Sequence, residues 1–216
     1  MASSDSHPPR DAVAAQRKAA ATRRVAGYIR GRRSGRTYPA HVSAYSPIAI
    51  DTERLVLTPL RPGDADEMCA VLADEALYGF TGGHPPSRAE LRDRYERLAA
   101  GSPYPDQIWL NWIVRRRSDG AAIGTVQATV TRRRPADDRA EVAWVLGVPF
   151  HGHGYAAEAA RALVGWLRER GTNPVSANIH PDHHASAAVA MRAGLAVTGD
   201  WVDGERVWRT PPPDSP

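Results

Sequence analysis

Residues 149–167, PFHGHGYAAEAARALVGWL, place a glycine-rich turn directly before a run with helical periodicity. One face of the predicted helix, residues 153–170, carries Ala156, Ala160, Leu163, Val164 and Leu167. The N-terminus of a helix exposes unpaired backbone N–H groups and the positive end of the helix dipole, and glycines let an anion approach that backbone. The stretch therefore predicts a phosphate-binding turn, with a tight turn that holds no ligand as the alternative.

Two common phosphate-binding loops fit this turn poorly. A Walker loop needs Lys and Ser or Thr after its last glycine, whereas Tyr155 and Ala156 follow Gly154. A dinucleotide-binding fingerprint needs a third glycine, and Ala157 stands at that position. A nucleotide site of either kind is therefore the weaker interpretation.

On both sides of this stretch, the chain alternates strand-like and helix-like segments. We predict seven strands, in TERLVLTPL, QIWLNWIVRRR, AAIGTVQATVTR, RAEVAWVLGV, PVSANIH, LAVTGDWV and ERVWRT. Helical periodicity follows Pro62-Gly63-Asp64, a capping box at Ser87–Glu90 opens a second helix, and a further helix spans about residues 184–193. Asp203-Gly204 predicts a hairpin turn between the last two strands. The pattern indicates a mixed α/β domain with a largely antiparallel sheet and one crossover helix.

Three stretches carry a family resemblance. EVAWVLGVPFHGHGYAAEAARALVGWL resembles the acetyl-CoA signature of the GNAT N-acetyltransferase superfamily, whose (Gln/Arg)-x-x-Gly-x-(Gly/Ala) core falls on residues 151–156. HPDHHASAAVAMRAGL, residues 180–195, resembles the second half-motif, and TERLVLTPLRPGDADEM resembles the start of the domain. The likeness covers about residues 51–209 and is closest to the RimJ/RimL-like ribosomal-protein-alanine acetyltransferases. It implies a sheet of six to seven strands flanked by about four helices.

The resemblance implies acetyl-CoA as cosubstrate and places it on particular residues. The pantetheine arm would pair with the strand backbone near residues 145–147, and the pyrophosphate would accept N–H bonds from the loop 151–156. The residues so assigned to the cofactor are Val145, Leu146, Gly147, His151, Gly152, His153, Gly154, Tyr155, Ala156 and His183. Two of these depart from the family pattern, because His151 replaces its Gln or Arg and His183 replaces its Asn.

Candidate catalytic residues follow from the same likeness. A backbone N–H near Leu146 would stabilise the oxyanion. The tyrosine that often protonates the leaving thiolate in the family is Ala190 here, and Ser186 is the best substitute, unless it serves only the helix start. Glu141 is the first candidate for a general base and His180 the second, although a salt-bridged strand carboxylate is an equal interpretation of Glu141.

The acceptor amine is less well defined by the sequence. Candidate wall residues of its site are Tyr78, Phe80, Trp109, Trp112 and Trp201, each of which could equally belong to the core. Nothing in the pattern distinguishes a protein N-terminus from a small-molecule amine. The histidines have no metal-ligand spacing, so we expect no metal.

Charge divides the chain into a basic extension and a mildly acidic domain. Residues 1–50 carry nine basic and two acidic residues, whereas residues 51–216 carry 19 basic and 22 acidic ones. We predict a disordered basic extension over residues 1–46, an acetyltransferase domain over 47–209 and a Pro-rich tail over 210–216. We expect no nucleic-acid partner for the mildly acidic domain, whereas the basic extension leaves this partner open. The sequence leaves a homodimer open.

The single cysteine, Cys69, and the lack of any apolar run of membrane-spanning length predict a cytoplasmic protein without a membrane partner. The residues and the resemblance together favour an acetyl-CoA-dependent N-acetyltransferase that transfers directly to a primary amine. The alternatives are a non-catalytic acyl-CoA-binding module, or a regulatory or nucleic-acid-binding adaptor that uses the arginine-rich extension.

Overall fold

The computed structural model of the protein describes residues 45–132 and 138–212. The predicted disordered extension lies outside the described residues except for its last two positions. The first of these, Tyr45, is buried, and its hydroxyl is 2.8 Å from the Thr172 hydroxyl and 3.0 Å from the Asp138 carboxylate.

Four helices and eight strands make up the described chain. The strands are β1 (Ile50–Asp51), β2 (Leu55–Pro59), β3 (Gln107–Arg116), β4 (Ala122–Thr131), β5 (Arg139–Leu146), β6 (Val175–Ile179), β7 (Ala196–Val202) and β8 (Glu205–Arg209). The helices are α1 (Ala65–Val71), α2 (Arg88–Ala99), α3 (Tyr155–Glu169) and α4 (His184–Arg192). Short 3₁₀ turns lie at Pro62–Asp64, Glu75–Tyr78 and Val148–Phe150.

All eight strands form one sheet in the order β1-β2-β3-β4-β5-β6-β8-β7. Every neighbouring pair is antiparallel except β5 and β6, which the crossover helix α3 joins in parallel. The mixed, largely antiparallel class is confirmed, and so is the number of helices. The expected six to seven strands is corrected to eight, because β1 is two residues long and too short to show an alternating pattern.

The two faces of the sheet bury separate cores. Helix α3 packs its apolar residues, among them Leu163 and Leu167, against strands β2 to β6 on one face. Helices α1 and α2 cover only part of the other face, around Ile113 and Ala122. The α3 face buries the larger set of apolar side chains, and each fully buried leucine contributes about 1.5–3 kcal/mol, so this face is the main source of stability. The uncovered part of the second face becomes the floor of a cleft.

Local sequence signals set both the start of α2 and the β7–β8 hairpin. The Ser87 hydroxyl accepts from the Glu90 N–H at 3.3 Å, and the Glu90 carboxylate accepts from the Ser87 N–H at 2.8 Å, which confirms the capping box. Asp203 and Gly204 have φ of 49° and 84°, as a two-residue hairpin turn with right-handed twist requires. The predicted hairpin is confirmed.

Removing the Ser87 hydroxyl should destabilise the fold modestly. Ser87→Ala leaves the first backbone N–H groups of α2 with one fewer acceptor, at a cost of about 1 kcal/mol in the free energy of unfolding. In a domain of this size we expect the midpoint of thermal unfolding to fall by roughly 2–4 °C. Ser87→Thr is the matched control, since it keeps the oxygen; equal losses in both variants would contradict the capping role.

Candidate active site

The strands β5 and β6 part from each other at the centre of the sheet. Their parallel pairing covers only Ala140 with Val175 and Glu141 with Ser176, although β5 continues to Leu146. A cleft of about 2530 Å³ opens along this gap and continues over the uncovered face of the sheet. Since single-ligand sites commonly occupy about 300–1,000 Å³, the cleft has room for two substrates.

The alternation of backbone direction decides which strand residue faces the gap. The Gly147 N–H donates to the Ile123 carbonyl at 3.0 Å, so the backbone of Gly147 points toward β4. Backbone groups alternate direction along an antiparallel strand, so Val145 also points its backbone toward β4, and Leu146 points toward the gap. Val145 and Leu146 line the cleft, whereas Gly147 packs near Val71 and does not.

The loop after β5 forms the other end of the same gap. Gly152 and Gly154 have φ of 79° and 80°, in the left-handed region that glycine tolerates, and Gly154 caps the N-terminus of α3. The cleft is lined by all six loop positions, His151, Gly152, His153, Gly154, Tyr155 and Ala156. The unpaired N–H groups and the dipole of a 15-residue helix therefore face a cavity, a suitable environment for an anion.

Two histidines of this loop, His151 and His153, stabilise its conformation through hydrogen bonds to backbone carbonyls. The His151 Nε2–H donates to the Leu146 carbonyl at 2.8 Å, because a carbonyl can only accept. The His153 Nδ1–H likewise donates to the His151 carbonyl at 2.8 Å, and the His153 ring stacks on Tyr155. The histidine at the family's Gln or Arg position thus ties the loop to the parted strand.

Arg54 is a site residue that the sequence analysis missed. Its guanidinium donates to the His153 carbonyl at 3.0 Å, lies over the Tyr155 ring and pairs with the Glu158 carboxylate at 2.6 Å. Partial burial opposes ionisation of Glu158, but hydrogen bonds from Thr52 and Arg54 outweigh it and hold the pKa of Glu158 below its ordinary value. Arg54 thereby joins the start of β2 to the first turn of α3 and supports the loop.

Glu141 lies on the open face of the sheet, inside the cleft. Its Oε2 accepts from the Asn178 amide at 3.2 Å across the start of the gap. The carboxylate stays accessible to cleft water, yet the enclosing walls reduce its hydration, which raises the pKa of Glu141 despite the Asn178 hydrogen bond. A carboxylate with a raised pKa is a better proton acceptor, as a general base requires.

The remaining candidate catalytic and cofactor-binding residues also lie in the cleft. His180, His183 and Ser186 line the cleft near the start of α4, where Ser186 is the third helical residue and not the cap. Partial burial, with smaller contributions from His180 and His151, lowers the pKa of His183. In residues 45–132 and 138–212, no group of three or more His, Cys, Asp or Glu side chains could hold a metal ion.

Of the five expected wall residues, three line the cleft: Tyr78, Phe80 and Trp109. Trp112 does not, because the alternation of β3 turns it to the opposite face, where it is fully buried and donates to the Ile48 carbonyl. Trp201 is 53% exposed on the edge strand β7 and lies outside the cleft lining. The interpretation of Trp112 and Trp201 as wall residues is therefore corrected.

A mixed sheet whose two parallel central strands part beside a glycine-capped helix is typical of proteins that bind an extended anionic cofactor in the gap. The family model described as the acetyltransferase (GNAT) domain matches residues 54–196, and the chain belongs to this family. As a member, the protein is an N-acetyltransferase. No curated protein sequence matches the chain.

Solved structures share the fold at low sequence identity. A GNAT-family acetyltransferase from Bacillus anthracis is 17% identical, with 75% of this chain and 96% of that chain covered and a TM-score of 0.60. AAC(6')-Ib in complex with paromomycin and acetyl-CoA is 18% identical, over 73% and 92%, with a TM-score of 0.59. RimL, a ribosomal L7/L12 alpha-N-protein acetyltransferase in complex with coenzyme A, is 16% identical, over 75% and 97%, with a TM-score of 0.57.

Within the described part of the chain, no helix is long and apolar enough to cross a membrane.

Proposed function

We propose that the protein transfers an acetyl group directly from acetyl-CoA to a primary amine while both are bound in the cleft. One observation carries the proposal. The glycine-capped start of α3, the outward-facing backbone of Leu146 and the Glu141 carboxylate line a single cleft at the point where β5 and β6 part. The proposed catalytic domain comprises residues 47–209.

The cofactor site in this proposal extends along the gap. The pantetheine arm lies along β5 in the gap, and the N–H groups of the loop 151–156 hold the pyrophosphate. His151 occupies the Leu146 carbonyl, which leaves the Leu146 N–H for the thioester oxygen. Arg54 donates to the His153 carbonyl and so holds that loop in position, while Glu158 balances its charge. His183 and Val145 complete the lining, whereas Gly147 supports the strand from behind.

For this reaction the protein has to position the two substrates and accept one proton from the amine. Acetyl-CoA supplies an activated acetyl group when bound. Glu141 takes a proton from the incoming ammonium, directly or through water, and His180 is the second candidate for this role. The Leu146 N–H faces the gap and stabilises the developing oxyanion, and Ser186 donates a hydrogen bond toward the leaving sulfur. A covalent enzyme intermediate is not needed.

The acceptor is a primary amine, on a protein N-terminus or on a small molecule. Support for both comes from the structural neighbours, since RimL acetylates a ribosomal protein α-amine and AAC(6')-Ib binds the aminoglycoside paromomycin. We place the protein in the RimJ/RimL-like group on the sequence motifs. A homodimer, and nucleic-acid binding by the basic extension, remain predictions.

Calorimetric titration with acetyl-CoA, with NAD and ATP as controls, tests the cofactor half of the proposal. Selective binding of acetyl-CoA is the expected result, and its absence would contradict the proposal.

Release of CoA thiol in the presence of a peptide with a free α-amine, or of an aminoglycoside, tests the transfer half. Tight binding with no turnover on any amine would instead support the non-catalytic acyl-CoA-binding module.

A further inference from the structure

Three aromatic rings meet across the cleft. The Phe80 ring stacks on the His183 imidazole, with centroids 4.3 Å apart and planes inclined by 14°, and its centroid is 5.4 Å from that of His180. Phe80 belongs to the connection between α1 and α2, whereas both histidines lie between β6 and α4. These three residues, called the aromatic bridge below, therefore join the two sides of the cleft.

The bridge lines the cleft that contains the proposed reacting groups. Strand β6 ends at Ile179 and His180 follows at once, so the bridge begins beside the gap where β5 and β6 part. Its three rings line the same cleft as Leu146, Glu141 and Ser186. An acetyl thioester bound at the gap would therefore lie in the cleft that the bridge lines.

The local backbone presents Phe80 to the histidines. The Gly82 N–H donates to the Tyr78 carbonyl at 2.8 Å, and Gly82 and Gly83 have φ of 67° and 95°, which turns the chain sharply after Phe80. Phe80 itself is 44% exposed, unusually open for a phenylalanine, with one face on His183. An exposed phenylalanine that stacks on a cleft residue, and not in either core, indicates a role in the cleft.

The geometry points to a function for the aromatic bridge: we propose that it keeps water from the thioester, so that Phe80 determines the preference for acetyl transfer over hydrolysis. The inference rests on the proposed function.

In transfer, the amine nitrogen bonds to the carbonyl carbon as the C–S bond breaks, and the thiolate leaves and takes up a proton. In hydrolysis, a water oxygen bonds to the same carbon and the products are acetate and CoA thiol. Excluding water at that carbon therefore favours transfer selectively.

The test measures CoA thiol release from acetyl-CoA in the absence of any acceptor. Phe80→Ala should raise this hydrolysis rate by about tenfold or more, whereas Phe80→Tyr, which keeps the ring, should stay near the wild-type rate. The Kd for acetyl-CoA should change by less than about threefold in both variants, since the change concerns water access and not cofactor binding. Hydrolysis by Phe80→Ala at the wild-type rate would overturn the inference.

His183 provides an independent arm of the same test. His183→Ala removes the ring on which Phe80 stacks and should raise hydrolysis as Phe80→Ala does. Hydrolysis by His183→Ala at the wild-type rate would show that stacking is not the cause. Failure of the proposed function has a different signature, because the wild-type protein would then not bind acetyl-CoA in the titration.

Discussion

Gly154→Asp should weaken acetyl-CoA binding by roughly 100-fold, measured as the calorimetric dissociation constant. Gly154 caps α3, so the new carboxylate would lie where the proposed pyrophosphate binds. Two like charges a few ångströms apart in a partly hydrated cleft repel by about 2–3 kcal/mol, which corresponds to this factor. The new charge would also compete for Arg54, whose guanidinium lies 3.5 Å from the place of the added Cβ.

Gly154→Asn is the matched control for this change. Asparagine has nearly the same size as aspartate and, like it, tolerates the left-handed conformation at φ of 80° better than other residues do. An added Cβ meets only ordinary contact with Arg54, so the neutral variant should bind within about fivefold of wild type. Equal weakening in both variants would assign the loss to the backbone, and unchanged binding in Gly154→Asp would contradict the anion site.

Features that depend on neighbouring residues in the chain could be predicted from the sequence. The glycine turn before α3, the capping box at Ser87 and the hairpin at Asp203-Gly204 each rest on interactions within about four residues. Such interactions have residue preferences of their own, independent of the rest of the fold. These three features could therefore be predicted from local chemistry. The acetyl-CoA motif of the family lies in one of them, the glycine turn before α3.

Features that depend on the sheet register could not be predicted in this way. Arg54 supports the loop through partners 99 and 104 residues away, and no local pattern indicates such a pairing. Trp109 and Trp112 lie three residues apart on one strand, so they face opposite sides, and only the packing of α3 decides which side is core. The pairing of the Gly147 N–H with the Ile123 carbonyl, which turns Gly147 away from the gap, likewise depends on the register with β4 and not on neighbouring residues.

Replacing Glu141 with glutamine should lower kcat/KM by about 100-fold near neutral pH, because a positioned general base commonly contributes at least this factor. The substitution keeps the shape of the side chain and an oxygen that can accept from Asn178. Glu169→Gln is the matched control, since Glu169 is an exposed carboxylate at the far end of α3, and should leave kcat/KM unchanged. Steady-state rates with a primary amine acceptor measure both variants.

The pH dependence of the same variant separates a base from a structural carboxylate. Enclosure in the cleft raises the pKa of Glu141 above its ordinary value of 4.5, so the wild type loses its basic form as pH falls through that raised pKa. The acid limb of kcat/KM should therefore lie above the usual carboxyl range and disappear in Glu141→Gln. Free amines with pKa values of about 8–10 deprotonate without help at high pH, so the defect should shrink there. A defect of equal size at every pH would show that Glu141 supports the structure and does not accept the proton.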